Sequence, residues 1–204
     1  MSTTTTRRTR SDGERSRRAI LLAATRLATV EGLDGLTIGR LASETGMSKS
    51  GLFAHFGSKE ELQLATIGMA EEIFEEEVLV PALAVDGVAR VRALAEGFIS
   101  HIDRKVFPGG CFFASAAAEL DTRPGRVRDR VVATYVLWGR LITEALETAR
   151  ANGEIAVSAD APQLTFEINA MLAQANGLFR PHDDVRYFDM ARRAIADRLE
   201  RAAG

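Results

Sequence analysis

Apolar residues recur at intervals of three and four along most of the chain, and no stretch alternates apolar and polar positions long enough to make a strand. The first stripe, Ile20, Ala24, Leu27 and Ala28, predicts a helix opened by Ser11-x-x-Glu14, running to Val30 and stopped at Gly32. Residues 37–62, TIGRLASETGMSKSGLFAHFGSKEEL, then compress two short helices and the start of a third. Gly46 offers the left-handed stop for the first, Ser48 caps the second, and Ser58-x-x-Glu61 opens the third. Helices joined so closely cross steeply, so Ile38, Leu41, Ala42, Met47 and Leu52 must share one small core, with Ala42 at the closest approach. The third helix continues to about Val80, with Leu62, Ala65, Met69 and Ile73 on one face. Glu71, Glu72, Glu75, Glu76 and Glu77 at its far end read as a solvated face.

All five prolines, at 81, 108, 124, 162 and 181, lie beyond that helix and read as punctuation between helical segments at about 88–106, 110–121, 124–151, 161–180 and 184–202. The 124–151 segment carries Val127, Val131, Tyr135, Trp138, Ile142, Ala145 and Ala149, and Asp160-x-x-Gln163 opens the next. The 161–180 segment is apolar on more than one side, which implies burial against two partners. The last has a single stripe, Val185, Phe188, Ile195 and Leu199. The expected fold is all-α: a disordered basic arm at 1–11, a helix-turn-helix domain at 12–72 and a larger helical domain at 73–204.

Charge sharpens this division. Net charge is −2, but residues 1–60 hold ten Lys and Arg against six Asp and Glu, while the rest hold 16 against 22. A basic head on an acidic body suits a protein that presents one end to nucleic acid. Chance asymmetry with a solvated tail is the plainer alternative. Arg7, Arg8 and Arg10 fit either a DNA arm or a solubilising tail. The single cysteine, Cys111, excludes an internal disulfide and fits a reducing compartment. No apolar run reaches the roughly 18 residues of a membrane span, so a cytoplasmic location and no membrane contact are expected.

Polar residues gather at the start of the second short helix: Ser48, Lys49 and Ser50, with Gly51 contributing backbone. Small polar and basic residues in a first turn suit a helix that lies in a DNA major groove with its N-terminal end at the base edges. Lys49, Ser50 and Gly51 are the candidate base contacts. The stretch resembles the TetR family of bacterial transcriptional regulators through Thr37-Ile38, Leu41-Ala42, Gly46-Met47-Ser48, Leu52-Phe53, His55-Phe56, Lys59 and Leu62. It departs from the family pattern at Thr45, Met47, Ser50 and Phe53; a tyrosine in place of Phe53 usually donates to a phosphate, which Phe53 cannot do. The resemblance implies phosphate contacts from Thr37, Ser48, His55 and Lys59. It implies a homodimer paired through residues 161–202 on a palindromic double-stranded operator, and a ligand-relieved repressor with no cofactor beyond an unknown small-molecule inducer.

For that inducer, Phe98, His101, Ile102, Cys111, Phe112, Tyr135, Trp138, Phe166 and Asn169, with Phe107 and Phe113, are candidate walls of a cavity for a small apolar or aromatic ligand. The same aromatics at helical spacing equally describe ordinary core. The run FPGGCFF, residues 107–113, breaks the chain where the resemblance places an inducer pocket. Two other classes are open: a helical adaptor that keeps the motif as scaffold, and a thiol enzyme using Cys111 with His101 and Asp103. No catalytic or metal-binding set is expected.

Overall fold

The computed structural model describes residues 4–120 and 124–204, with side chains from residue 13 onward. Among the described residues the chain is helical and contains no strand. α1 spans Thr4–Glu31, so it does not begin at Ser11, and residues 4–11 of the segment expected to be disordered form its first turns. Nothing between Thr4 and Asp12 is proline or glycine, and a nucleated helix propagates through such residues at little cost. The side chains of Arg7, Arg8 and Arg10 lie outside the described residues.

α2 (Ile38–Thr45) and α3 (Lys49–Phe56) follow the expected caps. Thr37 Oγ1 accepts from the Arg40 N–H at 3.0 Å, and Ser48 Oγ accepts from the Gly51 N–H at 3.1 Å. Gly46 ends α2 at φ 69°, the left-handed conformation that costs a side chain 1–2 kcal/mol in roughly this form. Leu41, Ala42 and Leu52 are buried between the pair, and Ile38 and Met47 pack half-buried at its edge. α4 (Lys59–Phe74) starts at the Ser58 cap, whose Oγ accepts from the Glu61 N–H at 3.1 Å.

The long helix is not uniform. Glu75–Leu79 winds as a π-helix before one further turn, α5 (Val80–Ala82). Pro81 has no N–H to give to the carbonyl four residues back and its ring crowds that turn, so the ladder widens ahead of it and the Val80 N–H reaches back to Glu75 O. Gly97, on α6 (Gly87–Asp103), lets that helix lie against the widened turn: a Cβ there would sit 3.2 Å from Val78 Cγ1.

α7 (Phe112–Leu120), α8 (Arg126–Ala151), α9 (Ala161–His182) and α10 (Arg186–Ala203) complete the body. Only Pro108 and Pro124 stand between helices; Pro162 is in the first turn of α9, where the missing donor costs least, and Pro181 is in its last turn, where it removes one ladder bond as the helix ends. The apolar stripe of α10, Phe188, Ala191, Ile195 and Leu199, is buried within the chain itself. Apolar side chains are exposed on α8 at Val132, Tyr135, Val136 and Leu137, on α9 at Phe166 and on α10 at Met190. Nor is the acidic run of the long helix merely solvated: Glu71 pairs with Arg130, Glu72 with Arg18 at 2.9 Å, and Glu77 with Arg104.

Candidate functional site

The candidate reading surface is built by what lies beneath it. Leu52 and Phe56 are buried on one side of α3, which fixes the opposite side outward. In the first turn Ser48, Lys49 and Ser50 are exposed, Gly51 is half-buried, and Ser48 Oγ lies 3.2 Å from Ser50 Oγ. Gly39 of α2 leaves room for the Lys49 stem, whose Cε would lie 3.6 Å from a Cβ at that position. Thr37 and Lys59 are exposed, and His55 is half-buried with its carbonyl accepting from Arg17 Nη1 at 3.1 Å. Arg17 also stacks over the Phe56 ring at 4.9 Å, tying α1 to the end of α3.

Lys59 is engaged with Asp34 at 2.8 Å, a pair the motif does not disclose because the partners are distant in sequence. Both are close to half exposed, and such pairs contribute about 0–1 kcal/mol, so exchanging Asp34 for a phosphate is inexpensive.

In the body an apolar cavity of about 260 Å³ opens between α4, α6, α7, α8 and α9. Of the candidate walls, Phe98, Cys111, Tyr135, Trp138, Phe166 and Asn169 line it. His101, Ile102 and Phe112 do not: they are buried behind its wall, as is Phe107. Helical spacing gives an aromatic's face only to within a quarter turn, too coarse to separate wall from backing. Phe113 joins the wall, and so does Phe74, which sequence reasoning passes over because it borders the acidic run. Phe74 meets Trp138 edge-on at 5.4 Å and Phe113 at 5.8 Å. Trp138 Nε1 donates to Asn169 Oδ1 at 2.8 Å, and no charged side chain is among the walls.

A larger cleft of about 750 Å³ separates the head from α8, but it is open and crossed by ion pairs, Arg126 to Glu61 at 2.8 Å and Arg130 to Glu71. It is a seam between two parts of the chain, not an enclosed site.

The thiol has no base. Burial pushes the Cys111 thiol up and keeps it protonated. Burial likewise holds His101 down at about 4, its Nδ1 has no hydrogen-bond partner, and Asp103 is exposed. Among the described residues no group of His, Cys, Asp and Glu is arranged to hold a metal ion, and no helix is long and apolar enough to cross a membrane.

A family model described as bacterial regulatory proteins, tetR family, matches residues 20–66, and one for the tetracyclin repressor-like C-terminal domain matches residues 87–195. None of the curated proteins compared matches. A TetR transcriptional regulator from Chloroflexus aurantiacus J-10-FL is 29% identical, with a TM-score of 0.86 over 93% of this chain and 96% of its own. AibR, solved with isovaleryl coenzyme A and operator DNA, is 26% identical, with a TM-score of 0.72 over 88% and 95%. A regulator from Saccharomonospora viridis, solved with choline, is 22% identical, with a TM-score of 0.75 over 92% and 96%. The exposed first turn of α3, the helical body and these matches agree: the chain belongs to the TetR family of bacterial transcriptional regulators.

Proposed function

We propose that this regulator is a homodimeric repressor released from a two-fold symmetric operator when a small ligand fills the body cavity. The observation that carries the reading is the exposed Ser48-Lys49-Ser50 turn at the N-terminus of a helix anchored by buried Leu52 and Phe56. Lys49, Ser50 and the Gly51 backbone meet base edges, each good contact contributing about 1–3 kcal/mol of discrimination. Thr37, Ser48, His55 and Lys59 hold phosphates and set register. AibR, of like fold, was solved on operator DNA.

The cavity favours a small apolar or aromatic ligand. About 260 Å³ accommodates one ring or a short acyl chain but not a whole coenzyme A, and the uncharged wall offers no counter-ion. Asn169 and Tyr135 orient its polar end. A ligand that moves Trp138 moves Phe74, and with it α4, whose start abuts α3. A coupling of about 1–3 kcal/mol lowers operator affinity roughly 5- to 150-fold.

Pairing runs through residues 161–202, which expose Phe166 on α9 and Met190 on α10, and α8 extends the same surface. Val132, Tyr135 and Val136 on α8 and Phe166, Ala170 and Ala173 on α9 form one outward face. Gly139 and Gly177 lie on it with open space around them, and a mid-helix glycine costs about 1 kcal/mol against alanine, a loss that a closely approaching second helix offsets.

Selection of bound duplexes from a random pool, with light scattering on the complex, tests this. The expected result is an enriched inverted repeat bound by an even number of chains. A helical adaptor would enrich nothing and show no salt-dependent affinity.

A further inference from the structure

A second connection, separate from the long helix, runs from the cavity to the head. Glu119 lies in the last turn of α7, where the helix dipole disfavours an acid. Its carboxylate takes two backbone N–H groups of the turn between α1 and α2: Leu33 N donates at 2.7 Å and Asp34 N at 2.6 Å. Gly32 makes this possible. It adopts φ +84°, and a Cβ there would stand 3.0 Å from the Glu119 carboxylate. The carbonyl of Leu33 is held from the other side by Gln63 Nε2 of α4 at 2.8 Å. The peptide unit joining Leu33 to Asp34 is therefore gripped at its N–H by the body and at its carbonyl by the long helix, shortly before Thr37 caps α2.

The other end of α7 is equally committed. Cys111, Phe113 and Ala114 line the cavity, and the FPGGCFF join is locked just before them. Gly109 N donates to Thr29 Oγ1 at 3.2 Å, and a Cβ on Gly109 would fall 1.8 Å from the Thr29 carbonyl oxygen. Cys111 N donates to Asn176 Oδ1 of α9 at 3.1 Å. α7 is a nine-residue rod with cavity wall at one end and the head's first turn at the other.

We propose that Glu119 is a positioning residue that transmits cavity occupancy to the reading head through the Gly32–Leu36 turn, in parallel with α4. The proposal rests on the cavity being the effector site. Displacing Phe113 or Ala114 tilts α7, draws Glu119 against Leu33 and Asp34, and so shifts the start of α2.

Linkage is reciprocal, so operator binding must be felt in the cavity, where Trp138, the single tryptophan of the chain, reports it. The full-length protein is titrated with the duplex obtained by selection, and Trp138 emission is read at saturation in the parent and in Glu119→Gln. The expected result is a spectral change in the parent that falls by about half or more in E119Q. A merely structural loss would weaken duplex binding yet leave the saturated change intact, and that outcome overturns the proposal. A parent with no change at saturation overturns both the proposal and the effector reading of the cavity. If E119Q does not fold, Glu119→Asp, which keeps the charge but is one methylene too short to reach the two N–H groups, is read in the same way.

Discussion

Lys49 and Ser50 are two side chains on the first turn of an eight-residue helix, and the rest of the head exists to hold them still. Their neighbours show what a sequence reveals at this scale. Caps are legible because a cap is a local event: Thr37, Ser48 and Ser58 each bond a backbone N–H three residues on. Long-range partners are not legible, and Asp34 on Lys59 or Glu119 on Leu33 could be found only once the chain had folded. His101 is a sharper case. It belongs among the aromatic residues the pattern suggests for a cavity, yet it is fully enclosed by Phe74 and Phe107, edge to face at 5.7 and 5.1 Å. Its folded pKa of about 4 lies below the ordinary 6.5, because burial penalises the cation. The native state therefore stays neutral while the unfolded chain takes up a proton. Stability is full above pH 6.5 and falls as pH drops toward 4, by about 3 kcal/mol over the window. Thermal melts of the parent between pH 7 and pH 4.5 should show this loss, and His101→Leu should flatten that part of the profile. An unchanged pH profile in the variant would mean that the ring is not held neutral by burial.

Among the elements, α2, α3, α8 and α9 lie close to where periodicity and capping place them, and the long helix also opens at Ser58 and ends near Val80, but its winding differs. Its π turn at Glu75–Leu79 arises from the conflict between Pro81 and a helix that packing requires to continue, a conflict no hydrophobic pattern displays. The turn has a partner, since α6 lies against Val78 at Gly97. Replacing Gly97 by alanine should be nearly neutral, because roughly 1 kcal/mol of helix propensity offsets a slightly tight contact. Valine branches into Val78 and should cost about 1–3 kcal/mol, a fall in Tm of roughly 2–12 °C for a chain of this size. A Gly97→Val protein melting with the parent would show that α6 and the π turn do not approach so closely. α7 was legible as a helix, but its role was not: FPGGCFF announces a break in the chain without saying that the break docks on Thr29.

In the whole molecule, the head and the helical body share one hydrophobic core, and beside it they meet along a seam of ion pairs, Arg126 to Glu60 and Glu61 and Arg130 to Glu71. Exposed pairs of this kind contribute little each and break readily, which suits the proposed shift of one part against the other. The all-α architecture and its division into head and body were legible in the chain because helical periodicity is strong and the charge changes sign between them. The outward face of α8 and α9 was harder to foresee, since an apolar position looks alike whether its own chain or a second copy covers it. The central claim is that α3 reads sequence while the flanking residues hold the backbone. It is tested most directly by measuring the affinity of Ser50→Ala and Lys59→Ala for the selected duplex and its single-base variants, across a range of salt. Ser50→Ala should change which base is preferred at one position per half-site while keeping the salt slope. Lys59→Ala should weaken every duplex alike and flatten the slope by about one per half-site. Two variants that lose affinity equally, with preference and slope both unaltered, would contradict the account.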